Sequence, residues 1–400
     1  MKVLQINCVY QKGSTGKITY DIAKGIYQND IESVVCYGRG NYNQVDDKIK
    51  VYKCCSEIES NINHALSFVT GNMYGGCALS TLNLKKIISD EKPNIVHLQC
   101  INGYFVNIYK LLQFLARKNI PTVITLHAEF MYTGGCGYAY ECRKWMEKPG
   151  CIDCTRYKKE SGSLFFNRMG NMWKKMYRSM ECFESKKVEV VSVSPWLQER
   201  AIKSPILSKL QHSVILNGLD TTVFRPCAQK EKKGTILHVS PEFTDDPQHV
   251  KGGYYIIELA KRMPEYTFII AGAYKLKKAV PNNIKLLGKV GNQKKLAELY
   301  SEANVTVLAS RRETFSMVCA ESLSCGTPVV GFKAGAPEMI ALDEYSEFVE
   351  YGNINELQKA VKQALQWNNS IEISKAAFKR YDRNRMIRDY IKIYRKLAKD

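Results

Sequence analysis

Two glutamates, Glu313 and Glu321, stand eight positions apart where an apolar segment gives way to a helical pattern. The separation carries little information, because Glu181 and Glu189 share it. The position is informative: the first pair follows the apolar run 305–308, which predicts a strand, and opens a predicted helix. A helix N-terminus presents free N–H groups and a positive dipole end, which suits a diphosphate. A carboxylate further along can accept hydrogen bonds from sugar or ribose hydroxyls.

Lys251 is a third residue suited to phosphate chemistry. With Gly252 it ends a polar loop before a helical pattern at 253–262. A lysine ammonium holds a diphosphate as a compact point charge and stabilises it as a leaving group. The pattern therefore predicts a donor ligand at this position.

A glycine-containing loop, Gln-Lys-Gly-Ser-Thr-Gly-Lys at 11–17, joins the first predicted strand to the first predicted helix. Gly13 and Gly16 allow the backbone to approach a phosphate or a sugar. The spacing fits neither the Walker loop nor the GxGxxG pattern. An ordinary strand-to-helix turn is the alternative interpretation.

Two histidines follow or end predicted strands. His127 comes directly after the run 122–126, at the carboxyl end of the strand, where a residue lining a cleft is expected. We expect it to make hydrogen bonds there. His97 lies within another strand, and for it a buried structural imidazole is as plausible as a cleft position.

Four cysteines, Cys136, Cys142, Cys151 and Cys154, have the spacing C-x5-C-x8-C-x2-C. The final CxxC is typical of four-thiolate metal sites, and a reducing compartment disfavours disulfides. A structural zinc that staples the loop 134–156 is one hypothesis, and four free thiols are the other. No His or acidic partner is evident nearby, so a catalytic cysteine is not expected.

The elements that position these residues alternate along the whole chain. Apolar, β-branched runs separated by helical patterns predict parallel strands covered on both faces and joined by right-handed crossovers. The predicted strands fall near 2–8, 33–37, 94–98, 122–126, 188–193 and 212–216, and then near 235–239, 266–271, 284–287, 304–308, 328–331 and 346–349. Helices are expected between them, for example over 17–28 and 104–118.

The break between the two series lies near 217–233, where a turn, a proline and a charged run follow one another. The sequence therefore predicts an α/β protein of two Rossmann-like domains facing across a cleft. The first domain spans 1–216, a linker spans 217–233, and the second domain spans 234–375. A C-terminal helix over 376–400 is expected to pack back toward the first domain.

Charge and hydropathy limit the classes of partner that the protein can have. The formal net charge is +19, and residues 143–187 alone carry 12 Lys and Arg against 5 Asp and Glu. Such a surface attracts anions, but no nucleic-acid-binding module is recognisable, so nucleic acid is not expected as a partner. No run of 18 apolar residues appears, and the first residues resemble a strand rather than a signal peptide. A cytoplasmic protein is expected, peripheral on the inner face of the membrane in one interpretation.

That interpretation depends on residues 163–187, where apolar residues at helical spacing are flanked by cations. A helix lying on an anionic membrane has this composition. Burial of the same apolar face against the domain is the alternative.

The order of these motifs resembles that of the retaining GT-B glycosyltransferases of family 4, and the likeness covers nearly the whole chain. It extends to enzymes that build bacterial surface polysaccharides. The resemblance implies that Glu313 contacts the transferred sugar and Glu321 the ribose hydroxyls of the nucleotide. It also implies that Thr314, Phe315 and Ser316 offer backbone groups to phosphate and sugar. One departure is clear: the family pairs Lys251 with an arginine a few residues earlier, and this chain has none there.

The same resemblance implies a donor-facing role for Gly13 and Gly16 and a place near the transferred sugar for His127. The expected partners are a UDP- or GDP-sugar and a glycan or polyprenyl-diphosphate-linked acceptor. No cofactor is expected for catalysis, and zinc only as a structural ion. The alternatives are a synthase or phosphorylase acting on soluble glucans and a non-catalytic, basic polyanion-binding protein.

Overall fold

The computed structural model describes residues 1–42, 48–228, 234–367 and 369–399. The chain divides into two compact units, one formed by Met1–Ile215 with Met386–Asp400 and the other by Leu216–Arg385. The predicted linker 217–233 begins the second unit, and its residues 229–233 lie outside the described residues.

The first unit contains a parallel sheet with the order β3-β2-β1-β4-β5-β6-β7. Its strands are β1 (Lys2–Asn7), β2 (Glu32–Tyr37), β3 (Lys50–Lys53), β4 (Ile95–Leu98), β5 (Thr122–Leu126), β6 (Val188–Ser192) and β7 (Gln211–Val214). The six strands predicted here are all present, within two residues at each end. The sequence missed β3, a short edge strand with exposed lysines at both ends and no fully buried residue.

The second unit contains a parallel sheet with the order β10-β9-β8-β11-β12-β13. Its strands are β8 (Thr235–Thr244), β9 (Thr267–Lys275), β10 (Ile284–Gly288), β11 (Val305–Leu308), β12 (Val329–Phe332) and β13 (Ser346–Val349). All six predicted strands are present. Strands β8 and β9 run longer than predicted, because they continue to pair beyond an irregularity between Val239 and Glu242.

Helices cover both sheets. They are α1 (Gly13–Tyr27), α2 (Glu57–Thr70), α3 (Ala78–Glu91), α4 (Ile108–Arg117), α5 (Tyr157–Ser161), α6 (Met169–Met180), α7 (Pro195–Ile202), α8 (Gly253–Arg262), α9 (Gln293–Glu302), α10 (Met317–Ser324), α11 (Pro337–Ile340), α12 (Ile354–Ala364), α13 (Ser370–Tyr381) and α14 (Arg383–Leu397). Helix α4 begins at Ile108 rather than near 104, because the Asn107 side chain accepts the N–H of Lys110 as an N-cap. No helix among the described residues is long and apolar enough to cross a membrane.

The C-terminal helix α14 divides between the two units. From Met386 onward it belongs to the first unit, where Tyr390 and Tyr394 are buried in a core with strand residues such as Val3 and Val123. The preceding residues 376–385 lie in the second unit. Their backbone pairs with Leu219, whose N–H donates to Tyr381 O at 2.9 Å and whose carbonyl accepts the N–H of Arg383 at 3.1 Å.

In both sheets the strand order reverses at one point, between β1 and β4 in the first and between β8 and β11 in the second. Loops leaving the carboxyl ends of the strands on either side of such a point diverge and form a crevice that binds ligands. The loop bearing Gly13 follows β1. The loops bearing Lys251 and Glu313 follow β8 and β11, respectively.

The two sheets, their parallel strands and their helical layers define the α/β architecture predicted from the sequence.

Candidate active site

Lys251 and Glu313 are in direct contact in the second unit. Lys251 Nζ lies 2.6 Å from Glu313 Oε1, and the two side chains are only 22% and 15% exposed. Both side chains are largely shielded from water, so their electrostatic attraction is stronger than that of a typical exposed ion pair. The structure therefore brings together two residues that the sequence analysis selected separately.

The loop bearing Lys251 is fixed against the chain that leaves β11. The N–H of Arg311 donates to Val250 O at 2.8 Å. Gly252 adopts a φ of +67°, and a Cβ on it would lie 2.0 Å from the carbonyl oxygen of Ala309. Only glycine allows both this backbone conformation and this close approach. The Gly252 position thus explains how Lys251 reaches Glu313.

Glu313 is held by a second loop, between β12 and α11. Its N–H donates to Ala334 O at 2.9 Å, and its carbonyl accepts the N–H of Ala336 at 3.2 Å. That loop is in turn fixed by Glu338, whose carboxylate accepts the N–H groups of Ala334 at 3.0 Å and Gly335 at 2.8 Å. The sequence analysis assigned Glu338 no role. The sequence signal for this role is a glutamate at the start of a short helix, four residues after Ala334 and three after Gly335.

Residues 314–316 form the entry to α10. Thr314, Phe315 and Ser316 are all buried, and Ser316 is the N-cap with a φ of +84°. Its hydroxyl accepts the N–H of Cys319 at 3.3 Å. A non-glycine residue held in this left-handed region is strained, and such strain often accompanies a site that presents backbone groups. The Phe315 ring meets Tyr381 edge-on, which fixes the side chain away from solvent.

Glu321 lies one turn into α10 and has a partner that the sequence did not reveal. Its Oε2 accepts a hydrogen bond from the Tyr300 hydroxyl at 3.0 Å. Tyr300 is fully buried on α9, and burial together with the nearby Glu321 charge raises its pKa well above the ordinary value. The phenol therefore stays protonated and orients the carboxylate. Nothing in the spacing of residues 300 and 321 signals this contact, because it depends on the packing of α9 against α10.

His238 on β8 lies behind Lys251. Its Nδ1 is 3.0 Å from Val307 O, and the side chain is almost completely buried. Burial, with a smaller contribution from the Lys251 charge, lowers the pKa of His238 to about 4. The imidazole is therefore neutral near pH 7 and adds no positive charge beside Lys251.

Gly13 and Gly16 lie in the first unit, in the loop and first turn of α1. Gly13 has a φ of +64°, and nothing lies within 4 Å of a Cβ built on it. Lys12, the N-cap residue, makes no side-chain cap, so backbone N–H groups of this turn are left for another acceptor. A Cβ on Gly16 would lie 3.2 Å from the Val9 carbonyl oxygen, so Gly16 serves tight packing of the turn.

His127 also lies in the first unit, directly after β5. Its Nε2 donates to Gln99 Oε1 at 2.9 Å, which leaves Nδ1 as the nitrogen with a lone pair. Burial lowers the pKa of His127 to about 4, so the ring is neutral near pH 7. Gln99 also contacts the buried His97, because Gln99 Nε2 lies 3.4 Å from His97 Nδ1.

His97 is a structural residue. Its two ring nitrogens lie 2.7 Å from the Tyr394 hydroxyl of α14 and 2.7 Å from Thr125 Oγ1. The side chain is fully buried. Of the two interpretations left open for His97, the structure supports the buried one.

The four clustered cysteines, Cys136, Cys142, Cys151 and Cys154, are free thiols in the structure. The structure contains no group of three or more His, Cys, Asp or Glu side chains arranged to hold a metal ion within the residues it describes. Cys136, Cys151 and Cys154 are buried as free thiols, and burial raises the pKa of Cys151 to about 12. The arrangement therefore does not fit zinc as it stands, and the zinc site stays a prediction from spacing.

The apolar face of residues 163–187 is mostly buried. Within α6, the residues Met169, Met172, Trp173, Met176 and Met180 all pack into the first unit. The structure thus supports the alternative interpretation for this face, while the cations of the same helix remain exposed.

The chain is similar to known proteins in sequence and in fold. Residues 248–366, which include Lys251, Glu313 and Glu321, match the family model of the glycosyl transferases group 1. The putative colanic acid biosynthesis glycosyl transferase WcaC of Escherichia coli (strain K12) is 20% identical over 421 residues, which cover 99% of this chain and all of that protein.

Two solved structures share the fold over nearly their whole length. Sucrose-phosphate synthase from Thermosynechococcus elongatus superposes with a TM-score of 0.71 at 13% identity and 99% coverage of both chains. HepE of Anabaena, in complex with UDP and glucose, gives a TM-score of 0.62 at 15% identity, covering 98% of this chain and 99% of that one.

Fold and site together define the class of protein as an enzyme of the glycosyltransferases with the GT-B fold. The domain at residues 248–366 is similar to that of the group 1 glycosyl transferases. The alternative of a non-catalytic polyanion-binding protein is therefore wrong.

Proposed function

We propose that this glycosyltransferase moves a sugar from a nucleoside diphosphate sugar to a hydroxyl of a glycan or lipid-linked sugar, with retention of the anomeric configuration. The observation that carries the proposal is the 2.6 Å contact between Lys251 and Glu313 at the head of α10. A cation and a carboxylate lie side by side there. The cation suits the leaving diphosphate, and the carboxylate suits the hydroxyls of the sugar.

Lys251 supplies the positive charge in the proposed reaction. The bond from the anomeric carbon to the diphosphate oxygen breaks, and negative charge develops on that oxygen. A preorganised cation in a partly dry site stabilises this charge. In the free enzyme Glu313 neutralises Lys251. When the donor binds, the Lys251 ammonium pairs with the diphosphate instead. The Glu313 carboxylate then accepts hydrogen bonds from hydroxyls of the sugar.

The start of α10 holds the remainder of the donor. Backbone groups of residues 314–316 face phosphate and sugar, and Glu321 accepts hydrogen bonds from the ribose hydroxyls. The Tyr300 hydroxyl donates to Glu321 Oε2 and so fixes the orientation of the carboxylate that binds the ribose. Gly13, Gly16 and His127, which follow β1 and β5 of the first unit, stay predicted contacts with the donor or the transferred sugar. The neutral His127 accepts a hydrogen bond there through Nδ1.

Retention follows, in this proposal, from attack on the same face that the diphosphate leaves. The acceptor oxygen bonds to the anomeric carbon, and its proton passes to the departing phosphate oxygen. No protein nucleophile is assigned. UDP is the first donor nucleotide to test, because HepE is a fold relative solved with UDP and glucose. The acceptor is drawn from surface-polysaccharide assembly, since WcaC is named for colanic acid biosynthesis.

A second candidate is a synthase acting on soluble sugars. The observation in its favour is the likeness of fold to sucrose-phosphate synthase over 99% of the chain. Transfer to a soluble sugar or sugar phosphate, with no transfer to lipid-linked saccharides, would favour this candidate.

The deciding experiment measures the thermal midpoint of the full chain with UDP-, GDP- and ADP-sugars. One nucleotide sugar is expected to raise the midpoint, and Glu321→Ala is expected to abolish that rise. Wild-type protein that responds to none of these donors would contradict the proposal. With the donor known, NMR of the product reports whether the anomeric configuration is retained.

A further inference from the structure

Helix α2 (Glu57–Thr70) lies on the first unit with its apolar side outward. Ile58, Ile62, Leu66 and Val69 are between 49% and 72% exposed. At about 100° per residue they fall within an arc of roughly 80° on one side of the helix. The buried positions of this helix are instead Ser60 and Ser67. A surface helix of a globular protein normally has the opposite arrangement.

Polar contacts explain how α2 stays attached in this orientation. Asn63 Oδ1 accepts the N–H of Cys77 at 2.9 Å, and the Glu59 carboxylate accepts the N–H groups of Leu79 at 3.0 Å and Ser80 at 3.1 Å. Glu59 thereby satisfies N–H groups in the first turn of α3. The outward apolar side is thus a fixed feature of the fold.

Neighbouring segments extend the exposed apolar surface. Leu79 and Leu82 on α3 are 74% and 64% exposed, and Leu164, Phe165 and Phe166 are 60%, 67% and 48% exposed. We call these residues, together with Ile58, Ile62, Leu66 and Val69, the apolar patch. The 164–166 turn is attached to the end of α2, because the N–H of Leu164 donates to Phe68 O at 2.8 Å. The turn itself is closed by Ser163 Oγ, which donates to Phe166 O at 2.8 Å.

A basic pocket adjoins the apolar patch. It is a cavity of about 390 Å³ lined by Asn72, Arg168, Asn171, Lys174, Lys175 and Arg178. The Arg168 guanidinium stacks 5.3 Å from the centre of the Phe166 ring, so the pocket and the patch meet at this pair. Among the residues that the structure describes, no carboxylate forms an ion pair with any of these four cations.

We propose that the apolar patch and the basic pocket form one docking surface for an anionic lipid bilayer, in which the patch enters the headgroup region and the pocket binds lipid phosphates. An apolar surface bordered by cations has the two attractions that hold a peripheral protein on such a membrane. A second copy of the chain fits less well. A two-fold contact that buried this surface would place both sets of cations in one interface, where like charges repel each other.

This surface differs from the one that the sequence suggested. The sequence placed the membrane face on the apolar residues of 163–187. Of these, the apolar side of α6 is buried, and the 164–166 turn is exposed. The exposed apolar groups come from α2, α3 and the 164–166 turn, and α6 contributes only its cations. The inference deepens the proposed function, since a lipid-linked acceptor is presented at such a surface.

The test is flotation of the full chain with vesicles of phosphatidylglycerol and phosphatidylethanolamine, and with vesicles of phosphatidylcholine alone. Wild-type protein should bind the first and not the second. Ile62→Ser with Leu66→Ser should weaken binding about ten-fold or more, because less apolar area enters the bilayer. Lys174→Glu with Lys175→Glu should weaken it by more than about ten-fold and reduce its salt dependence.

Matched controls come from exposed residues of the second unit. Leu287→Ser with Ile371→Ser removes similar apolar groups, and Lys359→Glu with Lys362→Glu reverses the same number of charges on α12. Both controls should bind vesicles like the wild type. All four variants should keep the wild-type thermal midpoint and its rise with the nucleotide sugar, which separates docking from folding and from the proposed function.

Three results would overturn the docking surface. The first is a wild-type chain that shows the donor-induced rise but binds neither kind of vesicle. The second is equal vesicle binding by wild type and patch variants. The third is a dimer in sedimentation velocity that Ile62→Ser with Leu66→Ser dissociates, because the patch would then be a contact between copies. A missing donor-induced rise in wild-type protein would count against the proposed function instead.

Discussion

Lys251 Nζ and Glu313 Oε1 are 2.6 Å apart although 62 positions separate the residues in the chain. The contact joins the loop after β8 to the loop after β11, the two strands that flank the reversal of strand order in the second sheet. Two loops converge at this point, and each contributes one charged group.

Lys251→Ala should lower kcat about 10²- to 10³-fold, because it removes the cation that faces the leaving diphosphate in the proposed reaction. Steady-state transfer assays with the cognate donor measure the effect. Lys251→Arg is the matched control, and it should retain more activity than the alanine variant because it keeps the charge. Equal activity of the alanine variant and wild type would remove Lys251 from the mechanism.

Tyr300→Phe should raise the donor KM several-fold, by about 1 kcal/mol for one lost hydrogen bond, and leave kcat nearly unchanged. The change takes away the hydroxyl that orients Glu321 while keeping the ring that fills the space between α9 and α10. Glu321→Ala should have the larger effect on donor binding. Isothermal titration with the nucleotide sugar compares the two variants. If Tyr300→Phe bound the donor as tightly as wild type, Glu321 would not need this partner.

Glu338→Gln should lower kcat more than it lowers donor affinity. The carboxylate accepts two backbone N–H groups of the loop that pairs with Glu313, so Glu338 is a positioning residue. A glutamine keeps only one acceptor oxygen and adds an NH2 group opposite a backbone N–H. Steady-state kinetics and thermal unfolding together distinguish positioning from folding. A positioning role predicts a lower kcat with little change in KM and an unchanged thermal midpoint. A fall in the midpoint with wild-type kinetics would make Glu338 a residue of stability alone.

Acid should destabilise the first unit through His97. Burial lowers the pKa of this histidine to about 3, below the value of 6.5 for an exposed histidine. Between these values the unfolded chain binds a proton that the folded chain does not, so the free energy of unfolding falls as the pH falls. From pH 7 to pH 5 the loss is about 2 kcal/mol for this residue.

Denaturant unfolding of wild type and His97→Gln at both pH values measures that dependence. The glutamine variant should be less stable at pH 7, because the contacts with Tyr394 and Thr125 change. It should lose less stability than wild type on acidification. Equal slopes in the two proteins would show that His97 does not titrate in this range.

Metal removal should leave sugar transfer unchanged, because Lys251 supplies the charge that faces the diphosphate in the proposed mechanism. Assays with and without EDTA test this, with added Mg²⁺ as the comparison. The zinc hypothesis for the cysteine loop has a separate measurement. About one zinc per reduced chain, lost in Cys151→Ser, would support it, and far less than one would remove it.

Much of the fold was predictable because local patterns carry it. Runs such as 122–126 and 305–308 are apolar on both faces, and this pattern identified them as inner strands of parallel sheets. The short strand β3 was missed, because an edge strand with exposed lysines has no such pattern. The sequence also placed Glu313 and Lys251 on loops at the carboxyl ends of strands, since the order of elements alone determines that.

Partners distant in sequence required the tertiary structure. The contact of Tyr300 with Glu321 depends on how α9 packs against α10, and the contact of His97 with Tyr394 joins residues 297 positions apart. The outward side of α2 is of the same kind. Helical spacing shows which residues share a face, so the sequence determined that Ile62 and Leu66 lie together. Only the packing of the polar side against the first unit decided that this apolar face meets solvent, because periodicity carries no information on what a face contacts.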